Sequence, residues 1–96
     1  MRATIRPAAQ ADIEQAFDWY EEQGPGLGNE FLASLQLALK HASRAPLAQA
    51  IVHRDARRIL LHRFPYALYY QIRHGAMVVL ACMHGKRNPE RWKARS

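Results

Sequence analysis

The sequence predicts an α+β fold in which a two-helix hairpin backs one face of an antiparallel sheet, in the order β-α-α-β-β-β. Two segments repeat their apolar residues with the period of a helix, and Gly24-Pro25-Gly26 separates them. Three later segments have strand character and are separated by short turns, as in an antiparallel meander. Because the chain has 96 residues and no internal repeat, we expect one domain over residues 1–96.

The first strand and the first helix are predicted from alternation and then from helical spacing. Residues 2–6 alternate polar and apolar side chains and stop at Pro7, which indicates a short strand. The segment that follows has apolar residues at i, i+3, i+4 and i+7, which predicts a helix with one apolar side. We expect the acidic residues between them on the solvent side. The stripe consists of Ile13, Ala16, Phe17 and Tyr20, and the acids are Asp12, Glu14 and Asp18.

A second helix is predicted from about Gly28 to Arg44, and Pro46 closes it. Its stripe contains Phe31, Leu32, Leu35, Ala38, Leu39 and Ala42. Because the link between the two helices is short, they should lie antiparallel and bury their stripes against a sheet.

The second half of the chain supplies that sheet. Strands are predicted at 57–64, 67–73 and 76–84, with turns at Pro65-Tyr66 and His74-Gly75. The last strand is almost continuously apolar, which is typical of a central position. The face turned away from the helices should then carry basic and aromatic side chains suited to stacking and phosphate contact, although tyrosines in strands are often packing residues. The candidates are Tyr66, Tyr69, Arg58, Arg63 and His84.

The charges are unevenly distributed along the sequence. The net charge is +6, but residues 1–50 carry four cations and six acids, whereas residues 51–96 carry ten cations and two acids. Such a basic half favours an anionic partner, either nucleic acid or an acidic protein surface, with solubility as the alternative reason. The cations are densest after the last strand, where Glu90 is accompanied by Lys86, Arg87, Arg91, Lys93 and Arg95.

Several kinds of site find no support in the sequence. The histidines are scattered and Cys82 is the single cysteine, so we expect no metal site, no disulfide and no cofactor, and Cys82 is expected to be a core residue. No apolar run is long enough to span a bilayer, and no targeting segment opens the chain, so we expect a cytoplasmic protein without membrane contact.

One catalytic hypothesis remains. Metal-free RNA cleavage needs a proton acceptor, cations that stabilise the phosphorane and a proton donor, and a histidine among arginines supplies part of this set. His84 and Arg87 are the candidates, with Arg57, Arg58 and Arg63 nearby in the predicted sheet. A structural role for His84 at the strand end is the alternative.

A set of short motifs resembles the RelE/ParE toxin superfamily, closest to the ParE or plasmid-stabilisation branch. The resemblance covers roughly residues 3 to 92 and depends on the order and spacing of the motifs. They are Ala11-Asp12-Ile13, Trp19-Tyr20, Gly26-Leu27-Gly28 with Phe31, Arg57-Arg58, Arg63-Phe64-Pro65-Tyr66 with Tyr70, and His84 followed by Arg87-Asn88-Pro89 and Trp92.

This resemblance implies a toxin that a cognate antitoxin holds inactive. RelE-like members cleave messenger RNA on the ribosome, whereas ParE-like members block DNA gyrase. RelE-like nucleases typically carry an arginine where this chain has Ala67, and a tyrosine near the position of Trp92. Indole cannot exchange a proton, so these two differences favour a gyrase inhibitor over an RNA-cleaving toxin. A non-toxic module that only binds protein or nucleic acid is the third possibility.

The resemblance also suggests where the partners bind. We expect an acidic, partly disordered antitoxin to lie against the helical hairpin near Trp19, Tyr20 and Leu27, and along the sheet. The residues expected to contact the target are Arg57, Arg58, Arg63, Lys86, Arg87, Arg91 and Trp92.

Overall fold

The computed structural model describes residues 1–86 and 89–96. Arg87, which the sequence analysis selected, lies outside the described residues. Within them, no helix combines the length and the apolar character that crossing a bilayer requires. The elements are, in order, β1 (Ala3–Ile5), α1 (Pro7–Gln23), α2 (Leu27–Arg44), β2 (Ile51–His53), β3 (Ala56–Leu60), β4 (Tyr66–Arg73), β5 (Ala76–His84) and α3 (Pro89–Ala94).

The helical hairpin is built around a glycine-rich turn. Pro7 occupies the first turn of α1, where its missing N–H is no loss. Gly26 takes a φ of 87° ahead of α2, and the Glu21 carboxylate accepts the backbone N–H groups of Gly26 and Gly28 at 3.1 and 3.0 Å. A Cβ on Gly28 would come within 2.7 Å of the Phe17 ring, so the two helices approach closely only because residue 28 is glycine.

The predicted α+β order is confirmed, and the sheet contains one more strand than predicted. The strand order is β1-β5-β4-β3-β2, and β5 is central, as its apolar sequence indicates. The predicted antiparallel meander is confirmed for β3, β4 and β5, whereas β1 pairs with β5 in parallel, which makes the sheet mixed. The helical hairpin between β1 and β2 carries the chain across the sheet, so β1 lies at one edge and β2 at the other.

The boundaries of the edge strands also differ from the prediction. β2 is an added three-residue strand, and β3 ends at Leu60, four residues before the predicted end. The chain leaves the sheet there because Leu61 and Phe64 turn into the core beneath the helices and Arg63 takes a φ of 75°. Tyr66 is the first residue of β4 and not part of the turn.

Each face of the sheet has its own core. The helix-covered core contains Phe31, Leu35, Leu68, Tyr70 and Val79. The opposite face is covered by α3 and contains Ala56, Ala67, Tyr69, Leu80 and Trp92. The prediction of an open basic and aromatic surface on this second face is therefore wrong, because α3 covers it. Tyr66 packs toward the helices, as the alternation with Leu68 and Tyr70 requires.

Candidate functional site

A groove of about 350 Å³ lies at the end of β5. We call it the groove. Four elements contribute to it, because α1 runs along the last residues of β5 while α3 turns back beside them. The side chains that matter below are Trp19 and Tyr20 of α1, Tyr66 of β4, Cys82 and His84 of β5, and Arg91 of α3.

Aromatic rings form one wall of the groove. The Tyr20 ring lies 4.9 Å from Phe64 and 5.9 Å from Tyr66 between centroids, and it stacks on Phe31 at 5.4 Å. Trp19 meets Tyr20 edge to face at 5.0 Å yet remains 53% exposed. Burial, assisted by Tyr66, raises the pKa of the Tyr20 hydroxyl, so it stays protonated near neutral pH. Because the packed Tyr20 ring holds its indole in place, Trp19 offers apolar surface on a rigid support.

His84 lines the groove beside Tyr66, where β5 ends. It pairs in register with Tyr66, and the two rings are 5.7 Å apart between centroids. Its Nδ1 accepts the backbone N–H of Lys86 at 3.3 Å, which leaves Nε2 as the protonated nitrogen of the neutral ring. His84 therefore stabilises the turn after β5 and also faces the groove.

In the described part of the chain, no strand pairs with the outer edge of β5 beyond the short β1. The last register pair is Ile5 with Val79, and the Arg6 N–H donates to the Val79 carbonyl at 3.1 Å. A register shift follows opposite Tyr69 and Tyr70, where Leu80 and Ala81 both turn toward the face that α3 covers. Backbone groups of β5 after this bulge need other partners.

A buried ion pair supplies two of those partners. The Asp12 carboxylate accepts the Cys82 N–H at 3.1 Å and two Arg95 N–H groups at 2.6 and 3.3 Å. Arg95 also donates to the Leu80 carbonyl at 3.1 Å. Together, Asp12 and Arg95 tie α1, the end of β5 and the segment after α3 to one another.

Sequence reasoning missed this pair. Asp12 was expected in solvent, but it is only 8% exposed. The available signal was its position three residues after the buried Ala9 and four before the buried Ala16, which places it at the border of the helix stripe. Arg95 stood in a basic segment whose helix was not predicted, so nothing in the sequence connected it with Asp12.

The predicted arginines of the sheet do not converge on His84. Arg57 donates to the carbonyl groups of Leu47 and Gln49 at 3.1 and 2.7 Å and so holds the loop before β2. Arg58 lies on the other face beside Tyr69, where it partly offsets the rise that burial causes in the pKa of that hydroxyl.

The remaining predicted contact residues are distributed over both sides of the molecule. Arg63 forms an exposed ion pair with Glu30 at 3.1 Å. Lys86 is exposed in the turn after β5, and Arg91 lines the groove. Trp92 is 5% exposed and stacks on Tyr69 with a centroid distance of 4.1 Å, so it anchors α3 and offers little surface to a partner. Leu27, expected at the antitoxin surface, is half-buried at the start of α2.

Cys82 is the groove residue with the most strongly shifted pKa. Burial, with a smaller contribution from the Asp12 charge, raises the pKa of its thiol to about 12. A thiol that stays protonated at neutral pH is a poor nucleophile and a poor metal ligand. In the described part of the chain, no group of three or more histidine, cysteine, aspartate or glutamate side chains could hold a metal ion.

Comparison with known proteins defines the class of molecule. Over 88% of this chain and 95% of the other, the fold matches a structure described as the chromosomal ParDE TA system from P. aeruginosa, with a TM-score of 0.77 and 17% identity. Toxin ParE2 from two strains of Mycobacterium tuberculosis, CDC 1551 / Oshkosh and H37Rv, is 27% identical over 89 residues. These alignments cover 92% of this chain and 85% of each relative.

The family model is the most specific of these findings. The model of the ParE toxin of the type II toxin-antitoxin system parDE matches residues 3–89. The chain therefore belongs to this family of ParE toxins. Membership in a toxin-antitoxin family implies a cognate antitoxin as its partner, and the predicted superfamily and toxin class are confirmed.

Proposed function

We propose that this toxin inhibits DNA gyrase and that its antitoxin occupies the groove. One observation favours gyrase over messenger RNA as the target. Among the described residues, Arg91 is the only arginine or lysine that lines the groove with His84. Metal-free RNA cleavage needs several cations around the developing charge of the phosphorane. Arg57 and Arg63 are committed to other partners, and Arg58 lies on the opposite face of the sheet.

The environment of Ala67 supports the same choice. The resemblance places an arginine of the RelE-like nucleases at this position. Here Ala67 is fully buried beneath α3, in the core that contains Tyr69 and Trp92. A guanidinium at residue 67 would have to displace that core, so this fold does not accommodate a catalytic cation there.

The groove has the composition of a protein-binding surface. The exposed indole of Trp19 supplies an apolar anchor, and the cations Arg91 and Lys86 at and near its rim favour an acidic segment. Among the described residues, no strand pairs with this edge of β5 after Val79, and Asp12 already accepts the Cys82 N–H. An extended segment could add hydrogen bonds to the backbone groups of β5 beyond that point. An acidic antitoxin segment that places an apolar side chain on Trp19 and a carboxylate near Arg91 fits these features.

Purified gyrase tests the target. The toxin should inhibit supercoiling of relaxed plasmid by gyrase and should not cleave messenger RNA on ribosomes. Induced expression in bacteria should activate the DNA-damage response while messages stay intact. Message cleavage at ribosomes would contradict the gyrase proposal, and the absence of any effect in either assay would favour a module that only binds a partner.

Two variants on the same helix locate the contact. Arg91→Ala should weaken gyrase inhibition about tenfold or more, because Arg91 faces the groove. Lys93→Ala removes an equal charge from α3, but Lys93 pairs with Glu90 and lies near Trp92, so its effect should be small. Equal losses for the two variants would place the contact outside the groove.

The antitoxin site is tested with a matched pair of exposed hydrophobic residues. Trp19 and Leu37 are 53% and 49% exposed on α1 and α2, but only Trp19 lines the groove. With the cognate antitoxin, Trp19→Ala should weaken binding by about 2 kcal/mol or more, as expected for a hot-spot tryptophan. Leu37→Ala should leave the affinity within about threefold; a reversed order would contradict the assignment.

A further inference from the structure

The end of the sheet opposite the groove gathers cations from four separate parts of the chain. β5 begins there at Ala76 and reaches the groove roughly 26 Å away, at about 3.3 Å per residue. The Met77 N–H donates to the Arg2 carbonyl at 2.8 Å, which places Arg2 beside the β4–β5 turn. The Met1 nitrogen donates to the Ser43 carbonyl at 2.9 Å, which brings the last turn of α2 to the same end.

The β2–β3 turn completes this end. Asp55 in that turn accepts a hydrogen bond from Arg73, the last residue of β4, at 2.6 Å. The neighbouring residue Arg54 is therefore also close to the β4–β5 turn. Lys40 is exposed and precedes Arg44 by four residues, so the two lie on one side of α2. We call the set Arg2, Lys40, Arg44, Arg54 and Arg73 the cationic end.

Almost no negative charge accompanies these cations. Of the eight acidic residues of the chain, only Asp55 lies here, and it pairs with Arg73. The other seven lie on α1, in the first turn of α2 and on α3. Arg2, Lys40, Arg44 and Arg54 are exposed, and none has an ion-pair partner among the described residues. Folding thus joins three cations of the acidic first half with two of the basic second half.

Backbone conformation fixes the shape of the two turns at this end. Arg54 has a φ of 53° and His74 a φ of 49°, so two of the three described non-glycine residues with positive φ lie in these turns. His74 and Gly75, which has a φ of 74°, both take the positive φ that a two-residue hairpin turn requires, and histidine is one of the residues enriched in this conformation. A long side chain such as that of Arg54 is less usual there, so glycine at residue 54 would fit the same backbone.

We infer that the cationic end binds the phosphate backbone of double-stranded nucleic acid. The segments that form it, residues 1–3, 40–45, 53–56 and 72–77, contain no tryptophan, tyrosine or phenylalanine. A platform for unpaired bases would need such rings, whereas contact with a duplex backbone needs only cations held at fixed positions. Met1 is the only exposed large hydrophobic side chain in these segments, so an apolar anchor for an acidic protein is lacking.

The salt dependence of DNA duplex binding, measured with all 96 residues present, tests this inference. Anisotropy of a labelled DNA duplex of about 20 base pairs, measured between about 50 and 200 mM KCl, gives the slope of log K against log salt. The triple variant Arg2→Gln, Lys40→Gln, Arg44→Gln should reduce the slope by nearly three, at about 0.9 per phosphate contact. The control Lys86→Gln, Arg91→Gln, Lys93→Gln removes the same charge from the turn after β5 and from α3, outside the cationic end, and should reduce it by less than about one.

Equal reductions in both triple variants would mean that only net charge matters and would overturn the inference, as would a larger reduction in the control.

Arg54→Gly removes one cation of the cationic end without disturbing the backbone, because glycine tolerates the positive φ at residue 54. It should leave the melting temperature unchanged or higher and still lower the slope by about 0.9; an unchanged slope would exclude Arg54 as a contact. Competition by a polyglutamate peptide as strong as that by DNA would indicate an acidic protein instead and would also overturn the inference.

Discussion

The two faces of the sheet are covered by very different amounts of protein. α1 and α2, with 17 and 18 residues, pack on one face, whereas α3, with six residues, covers the other. The first face has many interlocking contacts, in which Phe31 alone meets Tyr20, Phe64 and Tyr66. The second depends on Trp92 stacked on Tyr69 and on Arg95 paired with Asp12.

This difference has an energetic consequence. Loss of a contact on the helix-covered face disturbs the whole domain, because α1, α2 and four strands share that core. Loss of a contact under α3 can be relieved by release of the short helix. The free energy of docking α3 therefore sets an upper limit on what such a substitution costs. The following predictions test this contrast, in order of decreasing effect.

The largest effect is expected from Phe31→Ala. Phe31 is fully buried between the helices and the sheet, and its truncation should lower the free energy of unfolding by about 4 kcal/mol. Urea denaturation followed by circular dichroism measures this. The transition should shift as one step for the whole chain; a loss below about 1 kcal/mol would contradict the packing described for this face.

Trp92→Ala should have a smaller and more local effect. We expect a loss of about 2 to 3 kcal/mol, limited by the release of α3. Hydrogen exchange should show faster exchange in α3 while α1 and α2 remain protected. Trp92→Phe keeps an aromatic ring on Tyr69 and should restore most of the stability, and faster exchange throughout both helices would show that the two faces are not independent.

Gly28→Ala tests the closest approach within the helical hairpin. The added methyl group would lie 2.7 Å from the Phe17 ring, so the helices must separate slightly, at a cost of about 1 to 2 kcal/mol. Gly24→Ala is the control, because its Cβ would meet only the flexible end of Leu27 at 3.3 Å. Thermal denaturation should rank Gly24→Ala as the milder change; the opposite order would contradict the hairpin geometry.

The last effect is absent near neutral pH and develops only in alkali, as a pH dependence that arises at Cys82. Its ordinary thiol pKa is 9.0 and burial raises it to about 12. Between these values the unfolded chain releases the proton while the folded chain keeps it, so stability falls as the pH rises. Urea unfolding across this range should show a shallower decline for Cys82→Ala. Tyr20 and Tyr70, whose pKa values are also raised, contribute equally to both proteins. Cys82 adds a small part to the raised pKa of Tyr69, and its loss in the variant also makes the decline shallower, so identical slopes would contradict the burial of the thiol.

The contrast between the faces also explains which parts of the fold were predictable. The helical hairpin was predicted because two long stripes repeat with helical spacing around Gly24-Pro25-Gly26. α3 was missed because six residues with a single buried side chain, Trp92, have no recognisable period. β2 was missed because three residues that follow a loop carry too little alternation to be distinguished from it.

The site was predictable only in part for a similar reason. His84 and Trp19 were each selected from local motifs, and the structure places both in the groove. The pairing of Asp12 with Arg95 joins residues 83 positions apart, and local spacing contains no information about such a contact. The same holds for the cationic end, where Arg2, Arg44 and Arg54 meet through the topology of the sheet.

The attachment of α3 to α1 decides whether the groove exists as described, because Arg91 and the aromatic wall face each other only while α3 is docked. A double-mutant cycle of Asp12→Ala and Arg95→Ala, measured by urea denaturation, tests this most directly. Each single variant breaks a buried ion pair, so the two losses should overlap, with a coupling energy of about 2 to 3 kcal/mol. Losses that add to within about 0.5 kcal/mol would show that Asp12 does not hold α3 and would contradict the account.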